Sequence, residues 1–166
     1  MPLVLNQLLV IFFGAVLTTM LATIPFLNTL DTIERKSEIK INNQSIIAEV
    51  VSKQADREKG LSGRDKIGVN EGMLFVFEKN DKYPFWMKGV KFPIDIVWIL
   101  QDRIIGFEEN VVPPEIDDPS YLKIYRPPLA INKVLELRAG RVKLLRAELG
   151  QRVLVKPLIP GLTEKP

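Results

Sequence analysis

Large apolar side chains crowd most densely between Glu71 and Leu100. There Met73-Leu74-Phe75-Val76-Phe77 and Ile96-Val97-Trp98-Ile99-Leu100 form two continuous runs. Short runs of this kind, bounded by turn residues, predict strands buried on both faces, and Asn80-Asp81-Lys82 and Gln101-Asp102-Arg103 supply the boundaries. On either side the pattern changes to alternation. Ile39 and Ile41, then Ile46, Ala48 and Val50, flank Asn42-Asn43-Gln44 and predict a half-buried hairpin. Ser52 suits a helix N-cap, with Ala55 to Lys59 as a short helix, Gly60 as its stop and Leu61 to Asn70 as a loop. Beyond Asp102, Ile104 to Phe107 returns as a second hairpin, and the proline-rich acidic stretch Asn110 to Pro119 predicts a surface loop. Tyr121 to Tyr125 and Ile131 to Leu137 read as strands, Ala139 to Leu149 as a short helix ended by Gly150, and Arg152 to Val155 as a closing strand. Many short strands with brief helices predict a mainly β, β-rich α+β domain: a compact barrel-like arrangement of short antiparallel strands.

The first 30 residues follow a different pattern. From Leu8 to Leu27 the only polar side chains are Thr18, Thr19 and Thr23. About 20 apolar residues in a helix span a hydrocarbon core of about 30 Å. No basic residue precedes the run and no small-x-small cleavage site follows it, so the expectation is an uncleaved single-pass transmembrane anchor, with the bilayer as one partner. The chain then divides into an anchor (1–30), a linker (31–37), a β-rich soluble domain (38–156) and a flexible tail (157–166).

Within the soluble part, Gly72-Met73-Leu74-Phe75-Val76-Phe77, then Phe85-Trp86-Met87-Lys88 and Pro93-Ile94-Asp95, resemble the central signature of the domain of unknown function 192 family. Glu58-Lys59-Gly60-Leu61-Ser62-Gly63-Arg64 resembles the block before it, and Val134 to Gly140 with Gly150 the closing block, so the likeness covers roughly Ile39 to Val155. The resemblance implies a fold and a topology but no established reaction. Two departures stand out: Ser62 where the family usually has Met, and Gly89-Val90 where it usually has Asn-Thr. The second is expected to remove two polar side chains beside Asp95 and to alter any polar site the family holds there. The resemblance also implies an exported domain. Arg35, Lys36 and Lys40 after the anchor favour a cytoplasmic body, but Asp31, Glu34 and Glu38 are interspersed among them, and the expectation taken here is extracytoplasmic.

Composition narrows the chemistry. The 166 residues carry a formal charge of +3 and contain neither cysteine nor histidine. This removes thiol and imidazole nucleophile mechanisms and the usual His/Cys zinc sites, leaving carboxylates, Lys, Tyr, Ser or a bound ion. No cofactor or metal is expected. The acidic loop with Glu108, Glu109, Glu115, Asp117 and Asp118 matches no calcium-loop spacing. Between Lys133 and Lys156 there are seven bases against Glu136 and Glu148, a surface suited to headgroups or an anionic polymer. The low net charge and the lack of a recognised motif argue against nucleic acid.

Five residues are the candidate ligand-binding set: Arg64, Glu71, Trp86, Lys88 and Asp95. Asp95 lies among Phe92, Pro93, Ile94, Ile96 and Val97, where a carboxylate must be paired, hydrogen-bonded or shifted in pKa. It reads either as an acid/base or ligand-anchoring group, with Glu71 as partner, or as a structural carboxylate satisfied by Arg64, Lys88 or loop amides or lying on the solvated face of an edge strand; the structural account is favoured. Trp86, Phe85, Tyr83, Phe92 and Trp98 make either an aromatic platform or ordinary core, with Trp98 in the core and Trp86 at a rim or pocket wall. Ser62 lacks the spacing of a nucleophile elbow and has no histidine to activate it. Two functions remain open: a membrane-anchored binding or accessory module for a small ligand or protein, which is preferred, and a carboxylate-based, glycosidase-like hydrolase, for which no catalytic motif is present.

Overall fold

The computed structural model describes residues 36–116 and 119–158; the expected anchor, Leu8 to Leu27, and most of the expected tail lie outside the described residues. Seven strands are present: β1 (Lys36–Ile41), β2 (Gln44–Val51), β3 (Glu71–Asp81), β4 (Ile94–Leu100), β5 (Arg103–Val111), β6 (Ile131–Arg138) and β7 (Val153–Pro157). Helix α1 (Gln54–Lys59) joins β2 to β3 and helix α2 (Arg141–Leu145) follows β6. The strands form one sheet in the order β5-β4-β6-β3-β2-β1-β7. All neighbours are antiparallel except β2 and β3, which the crossover through α1 makes parallel.

The apolar runs occupy the middle of this sheet. β3, β4 and β6 are adjacent, and side chains of both parities along them are buried. One face carries Met73, Phe75, Ile94, Ile96, Trp98 and Val134, covered by Leu61, Phe85, Met87 and Val90 from the long connections. The opposite face carries Leu74, Val97, Ile99, Leu135 and Leu137, closed by Ile39, Ile41 and Ile46 of the outer hairpin and by Val142 and Leu145 of α2. Burial of apolar surface, worth about 25 cal/mol per Å², stabilises both layers.

Several expectations are corrected. The sheet does not close into a barrel. Its outer strands meet only at one end, through the isolated bridge Arg103↔Arg152 and the bonds from Ile104 N to Gln151 O (3.0 Å) and Val153 N to Asp102 O (2.8 Å). From Val153 onward β7 pairs with β1 instead, so no continuous ladder joins β5 to β7. Tyr121 to Tyr125 is not a strand: Pro119–Tyr121 is a 3₁₀ turn, and only Tyr125 pairs, with Phe85. Ser52 does not cap α1, whose N-cap is Lys53 without a side-chain bond; the Ser52 carbonyl instead accepts from Arg57. The second helix is cut to five residues because Arg146 turns left-handed at φ 50°. β1 begins at Lys36, inside the expected linker, and Leu158 N still donates to Lys36 O at 3.0 Å.

Candidate functional site

Asp95 is the most deeply buried of the five candidates, fully shielded from solvent. Its carboxylate accepts from the backbone of Asn110 (2.9 Å) and from that of Val142 (2.8 Å). The first bond holds a bulge: Ile94 pairs with Val111 and Ile96 with Glu108, so Asp95 faces two residues of β5, and Asn110 turns to φ 51°. The second bond satisfies an amide at the start of α2, which has no side-chain cap of its own. Backbone amides of β5 and of α2, not a loop, Arg64 or Lys88, therefore satisfy Asp95.

Glu71 and Asp95 lie on opposite faces of the sheet. Asp95 shares its parity with Val97 and Ile99, while Glu71 shares that of Met73 and Phe75. Glu71 accepts from the Gly68 backbone at 2.9 Å and closes the loop before β3. The two carboxylates do not share a cleft. Gly89 and Val90 are likewise not beside Asp95, since Val90 packs in the layer of Met73 and Trp98. Gly89, at φ 66°, lies against Ser62, whose Oγ occupies the space a Cβ would need. The two departures from the family pattern are thus in contact.

Trp86 and Lys88 come together at a cavity of about 270 Å³ between α1, the middle of β3 and the segment 83–90. Its shape starts from an irregularity: β3 pairs with β6 through Val76↔Lys133 and next at Asp81↔Ile131, so four residues of β3, from Phe77 to Asn80, leave the ladder. Phe77 then stacks on Tyr83 with centroids 3.7 Å apart and planes 11° from parallel. Phe85 packs edge-on against Phe75 at 5.1 Å and against the core residue Trp98 at 5.5 Å. Gly60, at φ 49°, lets the chain turn out of α1 beside the Phe75 ring, which a Cβ would touch at 3.4 Å. Arg57 lies over the Phe77 ring, 4.9 Å from its centroid. Trp86 stands at the rim, 40% exposed.

Among the lining residues outside the candidate set is a buried acid. Glu136 of β6, flanked across the sheet by Met73 and Ile96, is 5% exposed, and its Oε2 has no hydrogen-bond partner among the described residues. Burial pushes its carboxyl up to about 8, against an opposing pull from Arg64. At neutral pH it is mainly an uncharged acid that both donates and accepts a hydrogen bond. The signal was present in the sequence: Glu136 interrupts Val134-Leu135-Leu137 as Asp95 interrupts Ile94-Ile96-Val97. Arg64 pairs with Glu49 at 2.5 Å beside an adjoining groove lined by Ser62, Gly63 and Met73. No metal-ligand cluster occurs among the described residues.

The profile of the domain of unknown function 192 family, described as "Uncharacterized ACR", matches residues 37–155, more than half of the chain. The chain belongs to this family. Two solved structures are similar to it. One is a protein of Sinorhizobium meliloti proposed to be a transcription regulator, with 27% identity over 72% of this chain and 92% of the other and a TM-score of 0.63. The second is a protein of unknown function from Novosphingobium aromaticivorans, with 25% identity over 72% and 83% of the two chains and a TM-score of 0.61. No curated protein matches the chain. The two solved structures therefore share this chain's fold, while the lining of the cavity is described for this chain alone.

Proposed function

We propose that this member of the family is a membrane-tethered binding module that takes a small ligand into the cavity beside Trp86. The observation that carries the reading is an aromatic-walled cavity with a buried, unpartnered carboxyl at its inner side, from Glu136. Apolar pockets with a few convergent polar groups and a perturbed pKa are the usual form of small-molecule sites. The glycosidase-like alternative needs two carboxyls flanking one cleft, and Asp95 and Glu71 lie on opposite faces of the sheet. The tether in this reading is Leu8 to Leu27, the domain lies outside the cytoplasm, and nucleic acid is not its partner.

Trp86 is the exposed one of the two tryptophans, so it reports on the site. A screen of single-ring aromatic compounds should shift its fluorescence saturably, with Trp86→Ala abolishing the change and leaving the melting temperature within a degree or two. A screen in which no compound gives a saturable, Trp86-dependent signal overturns the binding reading.

A further inference from the structure

The cavity also defines the kind of molecule it accepts. Its volume of about 270 Å³ lies just under the usual range for ligand pockets, roughly 300–1,000 Å³, which suits one substituted ring. Phe75 and Phe85 offer such a ring only apolar contact. The inner polar group is Glu136, and the orphan Oε2 marks where a ligand group has to supply the missing bond. The residues framing Glu136 set the charge around it. On β3 and β4 its neighbours, Met73 and Ile96, are uncharged. Helix α1 contributes Arg57, Glu58 and Lys59, and the segment 83–90 contributes Tyr83 and Lys88. Arg64, on the loop after α1, is the remaining cation, held by Glu49. Glu58 is already engaged by Gln54 at 2.8 Å, so the mouth carries three cations against one acid.

We propose that the cavity takes a planar aromatic molecule with a carboxamide-like donor–acceptor edge at its inner end, paired with the carboxyl of Glu136, and an anionic group at the outer end, met by Arg57, Lys59 and Lys88. This rests on the binding-module reading. A neutral carboxyl and a carboxamide each present one donor and one acceptor side by side, so two parallel hydrogen bonds form without burying a charge. An anion at the inner end would instead meet apolar rings. An ammonium or amidinium ligand would gain from the aromatic faces but would have to pass three cations, with the Phe77 ring already covered by Arg57.

The test measures binding of 4-carbamoylbenzoate and benzamidine to the full chain in detergent by calorimetry. These probes have similar rings, and benzamidine carries a cationic amidinium and no anionic group. At pH 6.5 the carbamoylbenzoate should bind at least tenfold more tightly. Its affinity should be level up to about pH 8, where Glu136 loses its proton, and fall by about tenfold per pH unit above it. Glu136→Gln, which keeps a donor–acceptor edge, should retain binding and lose this pH dependence, while Glu136→Leu should lose binding with the fold intact by circular dichroism. Tighter binding of benzamidine, strengthening as pH rises, would overturn the ligand class in favour of an organic cation and leave the binding module standing. Binding of neither probe also overturns the ligand class, and the Trp86 fluorescence screen decides the broader reading independently.

Discussion

Glu136 and Asp95 are both single acids in apolar strand sequence, yet their surroundings give them opposite chemistry. Asp95 is met by two backbone amides, so its charge is solvated by the fold itself. Glu136 has no such donors, and burial moves its carboxyl from an ordinary 4.5 to about 8. In the unfolded chain Glu136 ionises near its ordinary value, so folding takes up a proton between those two points. The stabilisation tied to that proton is complete below pH 4.5, is lost as pH rises toward 8, and changes no further above it. The full interval corresponds to at most roughly 5 kcal/mol. Glu136→Gln should therefore flatten the pH dependence of stability. Urea melts of the domain should show the native protein losing on the order of 2–4 kcal/mol between pH 5 and pH 8 through this residue, and the Gln variant losing less by that amount. Equal slopes would mean that Glu136 ionises normally.

At the scale of elements, Asp95 ties three pieces together: β4, on which it stands, the bulge of β5 at Asn110, and the first turn of α2. An amide in place of the carboxylate turns an –NH₂ group toward one of the two N–H donors. Asp95→Asn should cost about 2–4 kcal/mol, seen as a lower urea midpoint together with faster hydrogen exchange at Asn110 and Val142. Unchanged exchange at both amides would show that the carboxylate does not hold them. The elements themselves were legible where one physical signal dominated. Alternation marked the first hairpin, and the doubly buried runs at Met73 and Ile96 marked the central strands. What failed depended on partners far along the chain. The N-terminus of α2 is served by Asp95, which lies 47 residues before Val142, and nothing near Gly140 announces it. Tyr125 pairs with Phe85 through a single bridge, too little to make a strand of its apolar surroundings. The parallel contact of β2 with β3 follows from the path through α1, not from either strand's composition.

At the scale of the whole molecule, barrel closure was the expectation that strand count and spacing could not decide. Closing a sheet requires its last strand to pair with its first along its length, and here β7 is drawn to β1 after one bridge to β5. The cavity was half legible: Trp86 and Lys88 stood out by composition, while Phe77 and Tyr83 reach it only because β3 leaves its ladder after Val76. The remaining question at this scale is attachment. No helix among the described residues is long and apolar enough to cross a membrane; the proposed tether is Leu8 to Leu27. Removing some 20 mostly apolar residues from water as one helix makes membrane insertion effectively irreversible. Alkaline carbonate washing should therefore leave the full chain in the membrane pellet, while a chain starting at Lys36 should appear in the supernatant. Two results would count against the tether: release of the full chain by carbonate, or a mature N-terminus lying beyond Leu27.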